Sequence, residues 1–168
     1  FMVSTVASGR ATFGTYVDTK DLVLMHSVAD LQGLNVVTRS VLDNAAAAVC
    51  AMTKDRAAAG RRAARKRRPA VAVSMLGTTT PGALRVKGIL ERQGFEFVAF
   101  HQNGTGGIAM EDMIAEGLFT GVMDLNLHEI GDSVYGGLHG SIRDGRLQSA
   151  GRLGVPQVIA PGSVNYTV

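Results

Sequence analysis

From Pro69 onward the chain alternates. Apolar runs over residues 70–76, 95–100, 119–125 and 157–160 are separated by segments of helical period over 81–94, 107–117 and 129–135, and a further helix is expected over 146–153. Strand, helix, strand in steady succession with short connections leaves little choice but a parallel sheet covered by helices on both faces. Ligands of such sheets sit at the carboxyl ends of the strands. The loops beginning at Gly77, Gln102 and Asn126 all occupy such ends.

The part before Pro69 reads differently. Residues 1–7 and 22–27 are strand-like, with a polar loop rich in Gly and Thr between them. Asn35 offers a helix cap, and Leu34, Val37, Val41, Ala45, Ala48 and Met52 recur at three- and four-residue steps, the mark of one apolar helix face. That helix is expected to run on into the Ala/Arg stretch. The fold class is therefore α/β: a Rossmann-like parallel sheet with helices on both faces, comprising the end of one domain plus most of a second. Residues 1–68 form the C-terminal part of a first α/β domain with a connecting helix, and residues 69–168 a second Rossmann-like domain. Both ends look cut from a longer chain.

Composition narrows the partners. The net charge of +3 is misleading, because residues 54–68 hold eight of the seventeen basic residues and one acid, leaving −4 on the remainder. An even basic footprint is lacking, so nucleic acid is not an expected partner. No run of about 18 apolar residues occurs, so no membrane span is expected. Cys50 is the single cysteine. It excludes a disulfide framework and a cysteine zinc cluster, fits a reducing compartment such as the cytoplasm, and is expected to lie buried in its helix.

The richest stretch is His101-Gln-Asn-Gly-Thr-Gly-Gly107, where a strand passes through glycines into a helix. Unpaired amides at such a start suit a phosphate or carboxylate. Asn103, Gly104, Thr105, Gly106 and Gly107 are the candidate contacts. Gly104 to Ala109 also satisfies G-x-G-x-x-A, with Asp124 twenty residues after Gly104. Gly77, Thr78, Thr79 and Thr80 form a second candidate loop. Thr80 is placed to cap the helix that Pro81 begins, and the loop lacks the Gly-Lys-Thr of a P-loop.

Carboxylates and imidazoles follow the third strand. Asp124, His128 and Glu129 are candidates for acid–base work, and Glu111 with Asp124 for holding a divalent metal. If the strand extends, Asp124, Asn126 and His128 share a face; if a helix begins, His128 and Asp132 do. His101, and His139 in Gly136-Gly-Leu-His-Gly140, are lesser candidates, and His26 is read as structural. There is no H-E-x-x-H and no G-x-S-x-G elbow.

Several segments taken in order carry a resemblance: Ser4-Thr-Val-Ala-Ser-Gly9, Asp21-Leu-Val-Leu-Met-His-Ser-Val-Ala-Asp30, Gly33-Leu-Asn35, Asn44-Ala-Ala46, Gly77-Thr-Thr-Thr-Pro81, Asn103-Gly-Thr-Gly-Gly107 with Met110-Glu-Asp112, and Gly136-Gly137. Together they resemble the Tm-one-like ATP-binding domain family, an uncharacterised family of UPF type. The chain departs from that family's pattern at His101-Gln-Asn103 and at Asp124-Leu-Asn-Leu-His-Glu129. The resemblance implies two Rossmann-like domains and often a homodimer. It also implies ATP as the ligand and, in some microbial members, a TIM-barrel domain elsewhere in the full-length protein; Mg²⁺ is expected to join the phosphates near Glu111 or Asp124. It further implies an upstream region with its own glycine-rich loop. The leading expectation is a nucleotide-binding protein, its phosphates on the Gly77 and Gly104 loops. The alternatives are an enzyme acting on a small carboxylate or phosphorylated acid through His128 and Glu129, and a dimerising scaffold.

Overall fold

The structure, a computed structural model, describes residues 1–4, 17–63 and 68–168. It divides into two compact units, residues 1–67 and 68–168.

In the first unit, β1 (Met2–Val3) pairs parallel with β2 (Leu24–Met25), Met2 opposite Leu24 and Val3 opposite Met25. Both strands are shorter than the sequence suggests; residues 5–16, with the rest of the first expected strand and most of the polar loop, lie outside the described residues. Helix α1 spans Val36–Ala63. Its start is the one expected. Asn35 Oδ1 accepts the amides of Val37 and Thr38, each at 3.0 Å, and Thr38 Oγ1 accepts the Asn35 amide in return. Val41 and Ala45 of the expected apolar face are buried. Cys50 is exposed rather than buried, because its side chain falls off that stripe.

The second unit is built on four parallel strands: β3 (Ala70–Met75), β4 (Glu96–His101), β5 (Gly121–Asp124) and β6 (Gln157–Ile159), in spatial order β4-β3-β5-β6. The register sets Met75 beside His101 and Ser74 beside Asp124. Helix α2 (Thr80–Arg92) follows a short 3-10 turn at Gly77–Thr79; α3 (Thr105–Ala115) links β4 to β5; α4 (His128–Tyr135) follows β5; α5 (Ser149–Arg152) precedes β6.

Alternate residues of β3 feed two cores, as the pleat requires. Ala72 joins Phe100, Met110, Ile114, Phe119, Val122 and Ala150 on one face, where the Phe100 and Phe119 rings meet edge to face at 5.8 Å. Val71 and Val73 join Ala83 of α2 on the other. Helices thus cover both faces, as the alternation demands.

Two local expectations fail. The last helix is only Ser149–Arg152, and Arg146 lies in the turns before it. Thr80 does not cap α2: the helix begins at Thr80 itself, and its hydroxyl donates back to the Leu76 carbonyl at 3.1 Å. Among the described residues no helix is long and apolar enough to cross a membrane.

Candidate functional site

The chain runs from β3 to β4 on one side and reaches β5 and β6 on the other. The strand order therefore reverses beside β3, and the crevice of a doubly wound sheet opens between β3 and β5 at their carboxyl ends. Gly77–Thr80 leaves β3 there, and residues 124–129 leave β5.

The Gly77 loop is open. Gly77 and Thr78 are exposed, and a Cβ built on Gly77 meets nothing within 4 Å. Thr79 is engaged inward: its hydroxyl exchanges hydrogen bonds of 3.2 Å with the Leu76 backbone and accepts Asn126 Nδ2 at 3.1 Å. The Thr78 hydroxyl shares a 2.6 Å hydrogen bond with Ser163, whose Oγ also accepts Asn126 Nδ2 at 2.7 Å. Ser163 has a left-handed backbone, φ +61°, a strained state for a residue with a Cβ.

The Gly104 loop is filled from within. Gly104, φ +92°, precedes α3, and its amide donates to Glu129 Oε2 at 3.0 Å. The Gly107 amide also reaches the Glu129 carboxylate. Asn103 Oδ1 accepts the Gly106 amide at 3.4 Å and the Thr105 hydroxyl at 3.1 Å. The helix start does hold an anion, and that anion is a side chain of the same unit. Gly106 and Gly107 are glycines for a steric reason: a Cβ would fall 1.7 Å from the His101 carbonyl oxygen at the first and 1.6 Å from Glu129 Oε1 at the second.

Arg146 draws the acids together. Its side chain is 4% exposed. Nε donates to Glu129 Oε1 at 2.7 Å, Nη1 to Glu111 Oε1 at 3.1 Å, and Nη2 to Asp124 Oδ1 at 2.5 Å and Gln102 Oε1 at 3.0 Å. The remaining oxygens are taken as well. Gln157 Nε2 bonds Asp124 Oδ2 at 2.8 Å, and the amides of Leu147 and Ser149 bond the two oxygens of Glu111. Asp124, Glu111 and Glu129 are thus brought together, but around a guanidinium. A resident Mg²⁺ on Glu111 and Asp124 does not fit that arrangement, since a second cation would have to displace Arg146.

Burial works to lower the Arg146 pKa, yet Asp124 and then Glu129 hold it above its ordinary value. Burial raises the Glu129 pKa above the ordinary 4.5, against the pull of Arg146 and of the Gly104 and Gly107 amides. Folded Glu129 therefore keeps its proton to a higher pH than the unfolded chain does. Its contribution to stability declines as pH rises from 4.5 through the folded midpoint. Carboxyl-carbon NMR should place that midpoint above 4.5; a lower value would mean that Arg146 outweighs burial.

His128 sits elsewhere. A helix begins at this residue, so it shares a face with Asp132 rather than with Asp124. His128 and Asp132 are fully buried, and His139 returns to them from the loop after α4. His101 ends β4 exposed. Sequence reasoning gave no site role to Arg146 or Ser163, and placed Gln102 in a cleft loop without assigning it a partner. An arginine between Gly145 and Leu147 carries no motif that would single it out.

A doubly wound parallel α/β unit with a buried polar cluster at the carboxyl edge of its sheet defines the class. The chain belongs to the uncharacterised protein family UPF0261: residues 1–58 match its N-terminal domain and residues 68–168 its C-terminal domain. Similar proteins include a UPF0261 protein of Clostridium tetani, 39% identical over 164 residues, and one of Rhizobium meliloti, 40% identical over 166 residues. The ToMV resistance protein Tm-1(GCR237) of Solanum lycopersicum is 36% identical over 165 residues. Each alignment takes in 98% of this chain, which spans 39% of the length of the two bacterial proteins and 22% of the tomato protein.

Proposed function

We propose that the second unit binds a phosphate-bearing small molecule, with ATP the first candidate, at the sheet edge between β3 and β5. The observation that carries this reading is the open Gly77–Thr80 loop. It leaves β3 at the strand-order reversal with Gly77 and Thr78 exposed, a Cβ on Gly77 would meet nothing within 4 Å, and it leads into a 13-residue helix. The resemblance to an ATP-binding domain family names the nucleotide. The Gly104 loop plays a supporting part, locking α3 onto Glu129 and holding the floor of the crevice. Mg²⁺ enters with the nucleotide rather than on Glu111 or Asp124.

Calorimetry of the full-length protein with ATP–Mg²⁺ tests this. A saturable heat and a rise in melting temperature are expected, and the absence of both would reject the reading. Thr78→Asp puts a negative charge on the exposed loop and is expected to weaken ATP binding about tenfold or more without lowering the melting temperature.

A second reading, an enzyme acting on a small carboxylate or phosphorylated acid, draws on the buried Nε2 of His128, which has no hydrogen-bond partner. Glu129 does not share that work, because Arg146 and two amides hold both its oxygens. A homodimeric whole protein, with a TIM-barrel domain in its remaining length, is a further part of the proposal and rests on the resemblance alone; its cytoplasmic location rests on the single cysteine. Sedimentation of the full-length chain as a monomer would count against the dimer.

A further inference from the structure

We propose that His128, Asp132 and His139 form a binding site for a divalent transition metal, with Zn²⁺ the first candidate. The three are assembled by local geometry. His128 and Asp132 stand four residues apart on α4 and so lie one above the other. Gly136, left-handed at φ +77°, ends the helix and turns the chain back, and the His139 amide then donates to Asp132 Oδ2 at 2.9 Å.

The donor atoms converge. His128 Nε2 lies 3.4 Å from Asp132 Oδ2, His139 Nδ1 lies 3.9 Å from the same oxygen, and the three ligand atoms are all within 4.8 Å of one another. Zinc bonded at about 2.0–2.1 Å to nitrogen and oxygen holds its ligands about 3.4 Å apart in a tetrahedron, so small ring rotations bring all three onto one centre. Two imidazoles with one carboxylate favour zinc and its transition-metal neighbours over Mg²⁺ or Ca²⁺, and leave further coordination positions for water or a ligand.

Hydrogen bonding supplies an independent argument. His128 Nε2 and His139 Nδ1 are both buried atoms without a hydrogen-bond partner, and the His128 side chain is wholly buried. The other ring nitrogen, Nδ1, faces the Ser163 carbonyl oxygen at 3.3 Å. A carbonyl can only accept, so Nδ1 carries the hydrogen. In the neutral ring, Nε2 then turns a lone pair toward a carboxylate oxygen. Asp132 is already held as an acceptor, Oδ2 by the His139 amide and Oδ1 by the Val168 amide at 3.3 Å. The His128 lone pair and the carboxylate face one small space, with His139 Nδ1 beside them, and they repel unless something positive lies between them. Both the filling charge and the carbonyl on the far ring nitrogen are what a metal-bound histidine requires. Tyr166 stacks on the His128 ring at 4.7 Å.

This site is independent of the ATP reading and is tested without nucleotide. Full-length protein stripped with a chelator is titrated with ZnCl₂, and separately with Co²⁺, whose visible bands report nitrogen and oxygen ligation. Wild type is expected to bind one more Zn²⁺ per chain than His139→Ala does, and to gain melting temperature on zinc addition where the variant gains none. The loss of affinity should exceed the 10–100-fold that removing a residue hydrogen-bonded to a metal ligand costs. His139 is partly exposed, so its variant is expected to stay folded; His128→Ala, a buried change, is read alongside by circular dichroism. Equal zinc uptake and equal stabilisation in wild type and His139→Ala would overturn the proposal. So would ring-nitrogen NMR showing His128 as an imidazolium at neutral pH that zinc does not displace.

Discussion

Replacing Arg146 with Met is expected to cost about 3–5 kcal/mol of stability, enough to unfold most of the second unit under mild urea. The substitution keeps an unbranched apolar stem and removes the charged head. Asp124 and Glu129 are fully buried and Glu111 nearly so, and each bonds the same guanidinium. Without it three carboxyl groups face each other with only backbone amides and Gln157 as donors. Burial already raises the Glu129 pKa, and the loss of Arg146 removes the principal force holding it down. Some of the cost will be relieved by protonation, so the gap between wild type and variant should narrow as pH falls toward 4.5. Arg146→Lys is expected to recover little, because an ammonium cannot reach three carboxylates through a planar fork of donors. Urea unfolding followed by circular dichroism measures all of this; an unchanged midpoint in Arg146→Met would show that the acids do not depend on the arginine.

The second large effect is expected at the glycines. Gly107→Ala places a methyl group 1.6 Å from Glu129 Oε1, and Gly106→Ala places one 1.7 Å from the His101 carbonyl oxygen. Neither contact can exist, so α3 must move away from Glu129 or from the end of β4. The two differ in what has to give. Glu129 is a side chain, although one pinned by Arg146 and Gly104, whereas the His101 carbonyl belongs to the strand itself. Gly106→Ala should therefore cost more, about 3 kcal/mol or beyond, and Gly107→Ala at the upper end of the 1–3 kcal/mol typical of overpacking. If the Gly104 loop served mainly to receive a ligand, Gly107→Ala would abolish binding and spare stability. The opposite pattern is expected, a fall in melting temperature with ATP affinity changed only as far as the fold is. Thermal unfolding of the two variants beside wild type, with and without ATP, separates these outcomes.

Much of the architecture was readable from the chain alone, and the reason is that its signals are local. The alternation of β3 residues between Val71, Val73 and Ala72, the Asn35 cap and the glycine-ended helices all report on neighbours a few residues away. So does the pairing of His128 with Asp132, once it is known that a helix begins at residue 128. The misreadings occurred where a distant residue intervened. The Gly104 amides were recognised as an anion site, but their anion comes from 25 residues further along the chain. Asp124 and Glu129 were read as acid–base groups and Glu111 with Asp124 as metal ligands, but one guanidinium gathers Asp124, Glu129 and Glu111 from 22, 17 and 35 residues away, in a segment expected to be helix. The departures from the family pattern at Gln102 and Asn126 acquire a physical meaning only in three dimensions: both are buried, one bonded to Arg146 and the other to Thr79 and Ser163.

The amino-acid order by itself determined a parallel α/β sheet, its helices and the strand ends at which polar groups gather, because backbone propensity and side-chain periodicity act over a few residues. Only the tertiary structure decided which charge answers which. That choice depends on loops from different strands meeting in a low-dielectric interior, where one guanidinium must satisfy every carboxylate within reach and two imidazoles are turned toward the same oxygen.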